Sequence, residues 1–163
     1  MNIIKNGFCG IEQIITRTWI LTLSGICYLV MTVLFLLVMR IWDFQLIDEM
    51  YSKEAILVQI ESMSNNQRYA HALTTATLDV LYPFTYGIFQ AGMAYRFLGS
   101  WGKWIAPLSL FCIPVDLIEG FSQVMLLTGS LGYVELKAIV TPIKLVSYIL
   151  GLAFALLALV IAF

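Results

Sequence analysis

Four stretches of this chain are long and apolar enough to cross a lipid bilayer, and nothing else in the sequence constrains it more. A span needs about 20 mostly apolar residues. "TWILTLSGICYLVMTVLFLLVM" runs from Thr18 to Met39 between Arg17 and Arg40, and comparable windows cover 72–98, 104–127 and 137–161. Inside lipid the backbone must satisfy its own hydrogen bonds, so each window is read as a helix. The turns "GSWGK" (Gly99 to Lys103) and "TGSLG" (Thr128 to Gly132) are short enough to make consecutive helices antiparallel neighbours. Charged residues make up 12% of the chain, half the share usual in a soluble domain. The expected fold is all-α: one integral membrane domain over 1–163, a four-helix bundle.

The long connection, 41–69, differs in character. In "DFQLIDEMYSKEAILVQIESM", Ile47, Met50, Tyr51, Ile56, Leu57 and Ile60 recur among charges at roughly helical spacing. This predicts an amphipathic interfacial helix between spans 1 and 2, lying on the membrane surface. "SMSNNQR" follows as a polar turn, with Ser64 or Asn65 capping the second span. The N-terminal segment lacks the pattern of a cleavable signal. Lysines and arginines divide evenly between the two sides; the expected orientation places both termini in the cytoplasm of a bacterial inner membrane. Trp19, Trp42, Trp101 and Trp104 flank the spans as an interfacial belt would. Cys9, Cys27 and Cys112 form no C-x-x-C and read as small apolar packing residues. With a net charge of −1 there is no basic field to attract nucleic acid.

Polar residues inside the spans fall into stripes. His71, Thr75, Asp79, Tyr82, Tyr86 and Gln90 step by 3 or 4, as do Ser109, Cys112, Asp116, Glu119 and Gln123, and then Lys137, Thr141, Lys144 and Tyr148. Each set occupies one helical face. The first span offers Thr18, Thr22, Gly25 and Thr32, a small-residue face suited to close packing. At about 1.5 Å rise per residue, antiparallel topology brings Asp79, Asp116, Glu119 and Lys144 to one depth, in the half nearest the long connection. An ionisable side chain in lipid costs at least about 2.5 kcal/mol and normally faces a partner. Three carboxylates and one ammonium cannot all be charged and dry, so one carboxyl stays uncharged or a cation compensates. Pro83, Pro107 and Pro114 should kink their helices beside these acids and open a cavity. His71 is expected near the headgroups at a helix end. A metal would have to be held by Asp79, Asp116 and Glu119 alone, oxygen ligands suited to Mg²⁺ or Ca²⁺, and none is assigned.

The segments "DVLYPFTYG" (Asp79 to Gly87), "PVDLIEG" (Pro114 to Gly120) and "TPIK" (Thr141 to Lys144) resemble those of a group of small bacterial four-span membrane proteins. Their pattern is D-x-x-[YF]-P-x-x-Y-G, then D-x-x-E-N, then a late lysine. Gly120 departs from it where asparagine is expected, which removes a side-chain amide. The resemblance marks residues without implying an activity. In architecture alone the chain is also similar to the four-span sterol-isomerase-like family, which uses intramembrane acids around an amphipathic ligand.

These readings converge on an intramembrane pocket for a lipid-like or amphipathic cationic ligand. Asp79, Asp116, Glu119 and Lys144 are the candidate catalytic or charge-bearing groups; if chemistry occurs, a protonated carboxyl acts as general acid. Tyr82, Tyr86, Gln123, Thr141 and Tyr148 are the candidate ligand-binding groups, and the 41–69 connection is the lid. The sequence does not say whether a cofactor is used. The expected partners are the lipid bilayer, a lipid-like small molecule, and a membrane-protein partner or second copy. The alternatives are an accessory subunit of a membrane complex and a proton- or ion-coupled transporter component.

Overall fold

The computed structural model describes residues 10–162, so Cys9, read above as a packing residue, and Lys5, one of the lysines counted for orientation, lie outside the described residues. Among the described residues all regular structure is helical. A short segment, α1 (residues 10–15), precedes α2 (Thr18–Trp42), α3 (Lys53–Ser62), α4 (Asn65–Phe97), α5 (Gly102–Leu127), a 3₁₀ turn (Leu131–Tyr133) and α6 (Val134–Ala162). Three of these, α2, α5 and the segment ending in α6, are long and apolar enough to cross a membrane. The fourth long helix, α4, has 33 residues but carries the richest polar stripe.

Its start shows how local chemistry sets an element. The Ser64 hydroxyl accepts from the Gln67 backbone N–H, and the Gln67 side chain accepts from the Ser64 N–H. This reciprocal box closes the first turn. Asn65 to Arg68 are therefore helix rather than loop, and α4 starts seven residues earlier than the apolar window suggests. The turns after α4 and α5 use Gly99 and Gly129 at positive φ, 55° and 102°, a region glycine enters without a Cβ clash.

The packing is inverted relative to a soluble protein. Leu23, Val30 and Leu37 of α2 and Ile139, Val146 and Val160 of α6 are exposed, while His71, Gln90, Glu119, Gln123, Lys137 and Thr141 are completely buried. Apolar exteriors of this extent are rare on soluble monomers. All four tryptophans are exposed at or near helix ends. α4 packs against α2, α5 and α6. Gly87 sets its approach to α5: a Cβ there would lie 2.7 Å from Ile113 Cγ1. Pro83, Pro107, Pro114 and Pro142 all lie inside continuous helices. Each still removes one backbone donor, and for Pro83 the carbonyl left without it is that of Asp79.

Apolar clusters close both ends of the assembly. At one end Ile15, Ala91, Ala94, Ile105 and Ala106 pack together. At the other, Ile47, Ile56, Ile60 and Met63 pack on Leu126 and Leu127. This second cluster changes the reading of the connection. The apolar face of α3 is covered by the end of α5 and the start of α6, and Val58 is the large apolar group that α3 leaves exposed. It caps the helices, because Ile56 and Ile60 gain more from a close-packed protein surface than from a headgroup layer.

Candidate functional site

Between the two apolar ends lies a buried polar layer with two distinct halves. In the first, Glu119 of α5 is the hub. Its Oε1 accepts from Lys137 Nζ and from Thr141 Oγ1 (2.8 Å), and its Oε2 accepts from Lys144 Nζ at 2.5 Å. Lys137 also donates to Gln123 Oε1 at 3.1 Å. With its oxygen so held, Gln123 directs its amide N–H₂ at Thr75 Oγ1 and His71 Nε2, both 3.0 Å away. That assigns His71 Nε2 as acceptor and puts the ring hydrogen on Nδ1. Glu119, Gln123 and Lys137 are all completely buried, and each is ringed by partners.

The second half lacks such closure. Asp79 Oδ2, Asp116 Oδ1 and Asp48 Oδ1 are buried and make no hydrogen bond. Asp116 Oδ2 accepts from the Tyr86 hydroxyl at 2.7 Å, and its Oδ1 lies 3.4 Å from Lys144 Nζ, within ion-pair range only. These carboxylates and Lys144 line a cavity of about 270 Å³. Tyr82, Tyr86 and Tyr148 form its aromatic wall, stacked edge to face with centroids 5.3 Å (Tyr82 to Tyr86) and 4.9 Å (Tyr86 to Tyr148) apart. Phe35, Leu36 and Met39 of α2 and Leu145 of α6 give the cavity an apolar side. α2 packs along α4 rather than α6. Its polar tie to α6 is the Tyr28–Tyr148 hydroxyl contact at 2.5 Å, and Thr32 joins Tyr82 at 3.1 Å.

Two features explain why the acids lack partners. Position 120 faces Asp79: a Cβ added to Gly120 would lie 3.5 Å from Asp79 Oδ2. Glycine at that point offers no donor to the carboxylate. Asp48 arrives from the connection, which is pinned just before it. Phe44 stacks on His71 with centroids 4.7 Å apart, and Ile47 is completely buried. Gln67 Nε2 donates to the Asp43 carbonyl at 2.6 Å, and Asp43 itself has φ 48°. The chain therefore turns back over the helix ends and delivers Asp48 to the cavity. Burial alone would raise the Asp48 carboxyl, but the ammonium groups of Lys144 and Lys137 outweigh it and hold it below its ordinary value.

Of the candidate residues, Asp79, Asp116, Lys144, Tyr82, Tyr86 and Tyr148 line the cavity. Glu119, Gln123 and Thr141 do not; they form the bonded half behind it. His71, expected at a headgroup boundary, is completely buried because Phe44 covers it. Lys137 doubles the expected number of buried ammonium groups. Its stripe with Thr141 and Lys144 carried that signal. Asp48 carried no helical signal at all; the cue was an acid between apolar anchors, "FQLID". Deeper along the stripes, Gln90 and Ser109 are also buried without a hydrogen-bond partner. Among the described residues no three His, Cys, Asp or Glu side chains are grouped so as to hold a metal ion. No family model, curated protein or solved structure matches the chain.

Proposed function

We propose that the chain is a four-span membrane protein whose cavity binds an amphipathic cation, the charged head among Asp48, Asp79 and Asp116 and the apolar tail between α2 and α6. The observation that carries this reading is the trio of buried carboxylate oxygens without partners around one cavity. Four carboxyls (Asp48, Asp79, Asp116, Glu119) face two ammonium groups (Lys137, Lys144), so the layer has an excess of acid that a bound cation offsets. Tyrosine faces favour the same charge. α4 counts as the second span because His71, Thr75, Asp79 and Gln90 are buried against its neighbours, leaving Leu73, Val80, Leu81 and Phe84 outward. Ligand entry is sideways from the bilayer, past Leu36, Met39 and Leu145.

Glu119 serves packing in this reading, since both of its oxygens are engaged by donors. General acid chemistry would fall to Asp79, whose carboxyl is not ion-paired. A transport role is less well supported, because the cluster around Ala91 and Ala106 closes the interior beyond Gln90. The reading is tested by calorimetric titration of dodecylammonium into the protein in lipid nanodiscs. Saturable binding is expected, weakened about tenfold or more when Asp79→Asn and Asp116→Asn are combined. Equal competition by dodecanol, which has the tail and no charge, refutes it.

A further inference from the structure

Resting on the cation-binding reading, we infer that the cavity selects an ammonium that carries N–H bonds, a primary amine on an apolar chain, over a quaternary ammonium of the same charge. The ground is the number and origin of the acceptors. Asp48 Oδ1, Asp79 Oδ2 and Asp116 Oδ1 come from three separate elements, the connection, α4 and α5, and none has a hydrogen-bond donor. A primary ammonium has three donors. Asp79 and Asp116 are 8% and 4% exposed, so their main route to a donor is through the cavity.

The protein's own donors are committed elsewhere. Lys144 Nζ is 2.5 Å from Glu119 Oε2 and reaches Asp116 only at 3.4 Å. The Tyr86 hydroxyl is bonded to the other oxygen of Asp116, and those of Tyr28 and Tyr148 to each other. A quaternary ammonium would neutralise the charge and still leave three buried acceptors unpaired. Sites built for quaternary groups surround them with aromatic faces. Here the rings stand on one side and turn edge to face against one another. The cavity volume, about 270 Å³, equals that of about nine water molecules. It accommodates a compact head with its first methylenes and leaves the rest of a chain in the seam between α2 and α6.

The test compares dodecylammonium with dodecyltrimethylammonium, equal in chain and charge, by titration into the full-length protein in nanodiscs, each corrected for uptake by empty nanodiscs. Wild type is expected to bind the primary amine about tenfold more tightly. Asp48→Asn, on the connection and without a hydrogen bond to Glu119, is expected to weaken both probes and to shrink that ratio to about threefold or less. Asp79→Asn gives a second, independent reading of the same ratio. Equal affinities of wild type for both probes overturn the selectivity and leave the cation pocket standing. Failure of both probes to saturate removes the pocket itself. A ratio unchanged in both variants overturns the assignment of these oxygens as the selecting groups.

Discussion

The two halves of the buried layer are a few ångströms apart and are built from the same residue types, yet they solve opposite problems. Around Glu119, two ammonium groups and a hydroxyl meet one carboxylate, a glutamine amide oxygen takes a further bond from Lys137, and both carboxylate oxygens are paired. Around the cavity, three carboxylates share part of one lysine and keep oxygens without donors. The first arrangement has the features of a lock that holds helices in register; the second is incomplete in the way a binding site is incomplete. Charge burial alone does not distinguish structure from function here. Whether both carboxylate oxygens find donors does.

The contrast breaks most visibly at Glu119. Glu119→Gln would leave two buried ammonium groups facing an amide, and a loss of about 3–5 kcal/mol is expected, measured by reversible unfolding in detergent. Unchanged stability would mean that the supposed lock holds nothing. A smaller effect concerns the connection. The Asp48 carboxyl lies below its ordinary value in the folded chain, so its contribution is complete above the unfolded value near 3.9 and is lost as pH falls through the folded one. Hydrogen-exchange protection of residues 43–51 is expected to drop between pH 6 and pH 3 and to become pH-independent in Asp48→Asn. Equal wild-type protection at both pH values would show that the lysines do not anchor the connection. The finest probe is Gly120→Asn. An amide at this position can donate to Asp79 Oδ2, making the open half resemble the closed one. A gain of about 1 kcal/mol in stability is expected, together with weaker dodecylammonium binding. Tighter binding in this variant would argue that Asp79 does not hold the head.

Helical periodicity made much of this legible. The three stripes were visible because a polar residue in an apolar helix must find the one protected face, and that face repeats every three or four positions. Thus Lys144 could be set beside Asp116 and Glu119 from spacing alone. What periodicity could not show is how partners are apportioned. Gln123 and Thr141 share stripes with cavity residues and yet bond behind the cavity, because helix rotation by part of a turn decides which side of a stripe faces the space. Asp48 was illegible for another reason: it sits on a segment without helical period, and its position depends on Phe44 and Ile47 finding tertiary partners. The start of α4 at Asn65 agrees with the cap read at Ser64, and the Ser64–Gln67 pair is the local rule behind it that hydropathy hides.

The weak seam between α2 and α6 has a thermodynamic consequence. Under the proposed lateral entry, an amphiphile leaves water before it meets the protein, and each buried methylene contributes about 0.8 kcal/mol to that first step. The bilayer then acts as a reservoir in which the ligand is concentrated, and chain length governs how much is stored there rather than how tightly the site holds it. Affinity expressed per mole fraction in the lipid should be nearly flat with chain length, whereas affinity expressed per aqueous concentration should rise steeply. The chemistry of the head alone would then decide occupancy.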